Sequence, residues 1–175
     1  MATPLPRLTL VIGGARSGKS RFAEDLATAH PAPWIYVATA EAHDDEMVER
    51  IAHHRKRRAD GWVTVDAPRD LAAAVLAPPT GASVLLIDCL TLWLTNVMLG
   101  GGVVEDEQAR LLDALASATV PVLAVSNEVG MGIVPDNALA RAFRDAQGRL
   151  NAAVARQADY VVLMAAGLPL TLKAP

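Results

Sequence analysis

Eight residues near the start of the chain constrain its fold more than any others. Gly13-Gly14-Ala15-Arg16-Ser17-Gly18-Lys19-Ser20 matches G-x-x-x-x-G-K-[ST], the phosphate-binding P-loop. An apolar run over residues 8–12 enters it, and a helix-period segment over residues 20–29 leaves it. Strand, glycine-rich turn, helix is the context this motif needs. Glycines let the backbone wrap closely, so that its N–H groups point at phosphate oxygens. Lys19 is placed to neutralise the β- and γ-phosphates, and the Ser20 hydroxyl to reach Mg²⁺. The helix that begins there adds the positive end of its dipole. The competing reading is a glycine turn with a structural role alone.

The rest of the chain is organised to match. Near-continuous apolar runs recur at residues 8–12, 34–38, 83–87, 120–125 and 160–164, as in strands buried on both faces of a parallel sheet. Helix-period segments lie between them, at 20–29, 44–58, 70–76, 105–118 and 137–157. The last carries Leu139, Phe143, Leu150 and Val154 near helical spacing. The alternation predicts an α/β fold with a doubly wound, mostly parallel sheet and flanking helices. Residues 62–65 are expected as an extra edge strand, and residues 168–173 as another, confined to an edge by Pro169. Gly100-Gly101-Gly102 reads as a loop between two helices.

At 175 residues, one domain is expected, 1–175. A net charge of -3, from 16 Lys+Arg against 19 Asp+Glu, argues against a chain built for non-specific nucleic-acid binding. The single cysteine, Cys89, excludes an intrachain disulfide and a cysteine-based zinc cluster, and fits a reducing compartment. The first apolar run ends after five residues at Gly13-Gly14, too short for a signal peptide or a membrane span. A cytoplasmic location is therefore expected.

Two further regions carry chemistry. Asp88 closes the run Ser83-Val84-Leu85-Leu86-Ile87, at the strand end where open α/β sheets bind ligands. It suits the second Mg²⁺ carboxylate that a P-loop calls for. Its alternative role is an N-cap for the following helix, shared with Thr91. Segment 44–60, DDEMVERIAHHRKRRAD, places Met47, Ile51 and His54 on one helical face. Arg57 and Arg58 stand one turn beyond His54, and such cations disfavour its protonated form. A neutral imidazole is a nucleophile and arginines suit phosphates. The same pattern also describes a core histidine beside a solvated helix end. The loop at 126–135, Ser-Asn-Glu-Val-Gly-Met-Gly-Ile-Val-Pro, leaves another strand end and reads either as a substrate lid or as an oligomer contact.

These residues together resemble the bifunctional adenosylcobinamide kinase / adenosylcobinamide-phosphate guanylyltransferase family of cobalamin biosynthesis. The resemblance runs through GGARSGKSR, Asp44-Asp45-Glu46-Met47, Arg50-Ile51-Ala52-His53-His54, Trp62, Asp88-Cys89-Leu90-Thr91, Thr95-Asn96 and NEVGMGIVP at 127–135. It covers essentially the whole chain. It implies a RecA-like P-loop NTPase fold and two reactions. A nucleoside triphosphate, ATP or GTP, phosphorylates the aminopropanol hydroxyl of adenosylcobinamide. A histidine then takes GMP from GTP and passes it to adenosylcobinamide phosphate. By motif position His54 is the GMP-bearing residue and Lys19 acts in catalysis. Gly13, Gly14, Ala15, Arg16, Ser17, Gly18, Lys19 and Ser20 hold phosphates, with Ser20 and Asp88 at Mg²⁺. Thr39, Ala40, Glu41, Arg55, Lys56, Arg57, Arg58, Asp66 and Asp88 are implied nucleotide contacts. A homo-oligomer, a trimer, is implied as well.

This chain departs from the family pattern in RKRR at 55–58, more basic than the mixed segment common there, and in aspartates at 66 and 88 where glutamate is also found. The choice between His53 and His54 rests on the family pattern and helix geometry. Residues alone leave open a monofunctional P-loop kinase with a structural His54, or a regulatory NTPase switch. Against the switch, the chain lacks an N-K-x-D guanine-reading motif.

Overall fold

The computed structural model describes residues 4–41 and 60–175. Among these residues, the elements follow one another as β1 (Leu8–Gly13), α1 (Lys19–Thr28), β2 (Trp34–Ala38), β3 (Trp62–Asp66), α2 (Leu71–Leu76), β4 (Val84–Asp88), α3 (Leu90–Leu99), α4 (Val104–Ala116), β5 (Val122–Asn127), α5 (Ala138–Gln157), β6 (Tyr160–Ala165) and β7 (Leu168–Lys173). The seven strands form one sheet in the order β3-β2-β4-β5-β1-β6-β7. All neighbours are parallel except β6 and β7, which pair antiparallel. The α/β expectation holds, and both extra strands lie at edges. The segment 44–58, with His53, His54 and Arg55 to Arg58, lies outside the described residues.

The apolar runs became strands because side chains on both faces find cover. Residues of even number on β1 and β5 and of odd number on β2 and β4 point to one face: Leu8, Leu10, Ile35, Val37, Leu85, Ile87, Val122 and Ala124 meet Leu71, Val75, Trp93, Leu94, Leu111, Leu115, Leu150 and Val154 from α2 to α5. The opposite face carries Val11, Tyr36, Leu86, Leu123, Val125 and Val162, packed on Ala23 and Ala27 of α1. Each fully buried Leu, Ile or Val side chain contributes roughly 1.5–3 kcal/mol. Asp70 and Asn137 start α2 and α5 by accepting from the N–H of Ala73 and Ala140.

Three details differ from the pattern in the sequence. β5 runs on to Asn127, because Ser126 and Asn127 pair with Ile12 and Gly13, and the polar Ser126 side chain is satisfied in the interior. Residues 90–99 form a helix whose apolar residues give no polar stripe, so periodicity alone does not delimit it. Leu139, on the same nominal stripe as Leu150 and Val154, is 60% exposed. A 20-residue helix is about 30 Å long and a six-residue strand about 20 Å, so the first turns of α5 overhang the sheet.

Candidate active site

The strand order places the described motif residues along one end of the sheet. Register aligns Asp66 with Ala38, Ala38 with Asp88, Asp88 with Val125, and Gly13 with both Asn127 and Met164. All of these lie at or near the carboxyl ends of parallel strands, where helix N-termini and loops converge. One strand, β5, separates the P-loop strand from the Asp88 strand. Asp66 sits four strand steps from Gly13, roughly 19 Å at about 4.8 Å per step.

The P-loop is closed by its own backbone. A Cβ on Gly13 would stand 2.4 Å from the Met164 carbonyl oxygen and 2.8 Å from Ser17 Oγ, so only glycine fits against β6. Gly18 caps α1 with φ 94°, a left-handed conformation that glycine adopts freely. Arg16 takes φ 55°, also left-handed. Lys19 is largely buried and its Nζ donates to the Gly14 carbonyl at 2.6 Å, which lays the ammonium back over the loop. Ser20 is in the first turn of α1. The Ser17 hydroxyl is buried and has no hydrogen-bond partner among the described residues. A polar atom left so inside a glycine-rich anion cradle is one that a phosphate oxygen satisfies.

Asp88 is held rather than used as a cap. Its Oδ2 accepts from the Tyr36 hydroxyl at 2.9 Å, whereas the N-cap of α3 is Cys89, without a side-chain cap bond. Thr91 does not cap either; its Oγ1 accepts from the N–H of Asn127 at 2.8 Å, tying the start of α3 to the end of β5. Asp88 Oδ1 accepts no hydrogen bond from the described residues. Ser20 hydroxyl and Asp88 carboxylate are hard oxygen donors of the kind Mg²⁺ takes alongside substrate phosphates. No cluster of three or more His, Cys, Asp or Glu suited to a metal occurs among the described residues, so an all-protein cage is not built there.

The three residues after β2 have distinct roles. The fully buried Thr39 side chain exchanges two hydrogen bonds, each 2.7 Å, with the backbone N–H and C=O of Cys89. Its own carbonyl accepts from Asn96 Nδ2 at 2.8 Å, and the same amide reaches the Pro68 carbonyl. Thr39 therefore positions the Asp88–Cys89 segment from within, and its hydroxyl is not presented to a ligand. Ala40 is partly exposed, and Glu41 pairs with Arg69 at 3.3 Å. Asp66 is exposed at the end of β3. Burial, and then the neighbouring Asp88 carboxylate, push the Cys89 thiol up to about 11, which keeps it protonated at neutral pH.

Tyr36, Thr91 and Asn96 are the supports that sequence reasoning missed in these roles. Tyr36 is one apolar-run residue among several, and its phenol gains meaning only when β2 and β4 are neighbours. No helix among the described residues is long and apolar enough to cross a membrane.

The chain is similar to several known proteins. The bifunctional adenosylcobalamin biosynthesis protein CobP of Pseudomonas aeruginosa is 44% identical over 166 residues, covering 94% of this chain and 96% of that protein. The bifunctional adenosylcobalamin biosynthesis protein CobU of Salmonella typhimurium is 40% identical over 181 positions, covering 95% and 99%. The Escherichia coli CobU protein is 39% identical over the same length and coverage. The crystal structure of the flagellar accessory protein FlaH from Methanocaldococcus jannaschii is similar in fold, with TM-score 0.51 at 14% identity over 99% of this chain and 80% of that one. The model of the CobU family, cobinamide kinase / cobinamide phosphate guanyltransferase, matches residues 9–172, and the chain belongs to that family.

Proposed function

We propose that this chain catalyses both reactions in its family's description on one nucleotide-binding edge. It phosphorylates adenosylcobinamide with ATP or GTP, then makes adenosylcobinamide-GDP from adenosylcobinamide phosphate and GTP. The observation that carries the reading is the pairing of a closed P-loop on β1 with a Tyr36-held Asp88 on β4, one strand apart.

In the kinase step the primary hydroxyl oxygen of adenosylcobinamide bonds to the γ-phosphorus. The bond from that phosphorus to the β–γ bridging oxygen breaks, the diphosphate leaves, and the hydroxyl proton passes to solvent. Lys19 and the N–H groups of Gly13 to Ser20 stabilise charge spreading onto the phosphoryl oxygens. Ser20 and Asp88 hold Mg²⁺, which when bound neutralises phosphate charge. A loose transition state makes little demand for a general base. In the second step the neutral imidazole of His54 attacks the α-phosphorus and pyrophosphate leaves. A phosphate oxygen of adenosylcobinamide phosphate then displaces the imidazole. Arg55, Lys56, Arg57 and Arg58 follow that histidine and are nucleotide contacts in this reading, as are Ala40, Glu41 and Asp66. The enzyme acts in the cytoplasm, a reading supported by its single cysteine, and as a homotrimer, supported by the resemblance to its family.

Incubation with GTP labelled at the α-phosphate tests the reading. The expected result is acid-labile, alkali-stable label on the protein, lost in His54→Ala and retained in His53→Ala. Phosphorylation of adenosylcobinamide without any protein label would leave a kinase alone. Label lost only in His53→Ala would move the site to the neighbouring histidine.

A further inference from the structure

Helix α3 is apolar through most of its length, yet one stripe of it reaches outward with polar groups. Trp93, Asn96 and Gly100 follow at i, i+3 and i+7, along one face. All three meet the loops that leave β2 and β3. Trp93 Nε1 donates to the Arg69 carbonyl at 2.8 Å. Asn96 is only 5% exposed, and its Nδ2 donates to the Thr39 carbonyl at 2.8 Å and to the Pro68 carbonyl at 2.9 Å. A Cβ on Gly100 would stand 3.1 Å from the Arg69 guanidinium, so glycine leaves room for that side chain.

The two loops need this helix because strand register ends beneath them. The last paired residues are Ala38 and Asp66, and the Ala67 N–H adds one more rung to the Ala38 carbonyl at 2.8 Å. One residue further, the carbonyls of Thr39 and Pro68 converge on a single nitrogen, and two acceptors cannot bond each other. Proline has no N–H to offer. A primary amide carries two donors on one nitrogen, so one asparagine closes a gap that backbone cannot. A hydroxyl supplies one donor there, and a carboxylate none. Past this tie the loops stay side by side, and Glu41 pairs with Arg69 at 3.3 Å.

We propose that Asn96 is a positioning residue for the nucleoside end of GTP. This rests on the nucleotide reading of the site, in which Ala40, Glu41 and Asp66 are contacts. Those residues lie on or at the root of the two loops that the amide ties. They stand toward the β3 edge, with β2 three and β3 four strand steps from the P-loop strand. A ribose and a base present hydroxyl and N–H donors, which carboxylates accept. Glu41 and Asp66 keep their spacing for such donors while Thr39 and Pro68 are held together. Both bonds of the amide are on the β2 and β3 loops, so its loss acts on nucleoside binding rather than on phosphoryl transfer.

Calorimetric titration with GTP, kinase turnover at saturating triphosphate and thermal unfolding test this on wild type, Asn96→Ala and Asn96→Ser. In Asn96→Ala, GTP is expected to bind about 20-fold more weakly, within the range for misplaced contacts. Turnover at saturating triphosphate is expected to stay within about twofold of wild type, because Lys19 and Asp88 keep their bonds to Gly14 and Tyr36. Asn96→Ser keeps one donor, so about fivefold weaker binding is expected, and it carries the test where the alanine variant does not fold. A lowered melting temperature with GTP affinity within about twofold of wild type would overturn the proposal, leaving Asn96 to structure alone. Turnover falling in step with GTP affinity would also overturn it, since the loss would then have reached the cradle. Failure of the wild type to phosphorylate adenosylcobinamide would strike the functional reading instead, and the GTP affinities of the variants would still judge Asn96.

Discussion

Gly13 and Asn127 lie side by side in register, and the loops that continue from them are held by different forces. The P-loop folds on itself. Gly13 is pressed against the Met164 carbonyl, Gly18 takes a left-handed turn, and Lys19 is bonded back to Gly14. The loop at 128–135 is tied chiefly at its ends, by Glu128 to Gly13 and Gly130, and by Arg141 to the carbonyls of Pro135 and Asp136. Between those ties Met131 is 81% and Ile133 97% exposed. Phosphate is recognised by backbone N–H groups, so its loop needs glycine at set positions and a tight path. An apolar ligand or partner is recognised by side chains turned outward, which no local spacing rule encodes.

Five variants probe that contrast. Lys19→Ala should have the largest effect, lowering turnover in single-turnover phosphorylation by about 10²–10³ while thermal unfolding stays near wild type. Wild-type turnover in this variant would remove the lysine from the mechanism. Next, Gly13→Ala should lower stability to urea by about 1–3 kcal/mol, since the new Cβ meets backbone rather than a movable side chain. In the other loop, Gly132→Ala has nothing within 4 Å of the added carbon and should stay within about 0.5 kcal/mol of wild type. Equal effects at the two glycines would erase the distinction between the loops.

A smaller shift is expected for Tyr36→Phe, which removes the hydrogen bond to Asp88. About tenfold more Mg²⁺ should be needed for half-maximal kinase rate, as when the support of a metal ligand is lost. An unmoved Mg²⁺ titration would make that bond structural. A change in stability as small as that of Gly132→Ala, within about 0.5 kcal/mol, belongs to the double variant Met131→Ser, Ile133→Ser. Its corrinoid KM should rise with nucleotide KM unchanged if the loop receives substrate. A change of sedimentation state would instead make it a contact between copies.

Much of the fold was legible because parallel strands buried on both faces leave near-continuous apolar runs. The edge strands were legible for the opposite reason: β3 buries no residue fully, and β7 carries Pro169. The boundary of β5 was not, since Ser126 looks like a loop residue until Gln147 and Asn151 of α5 surround it. In the site, the P-loop and Asp88 could be named from local pattern. Thr39 could be named as belonging there, but not as an interior brace spending its hydroxyl on Cys89.

The glycine-rich loop was determined by sequence alone, because its glycines and Lys19 set a backbone shape within eight residues. The net charge, the single cysteine and the order of strands and helices were likewise determined there. Tertiary structure decided which strand ends become neighbours. That choice puts Tyr36 on Asp88, Thr91 and Asn151 on Asn127, and Asn127 between cradle and carboxylate. Those contacts join residues 24 to 52 positions apart, and only the packing of helices on the sheet brings such residues within hydrogen-bond reach.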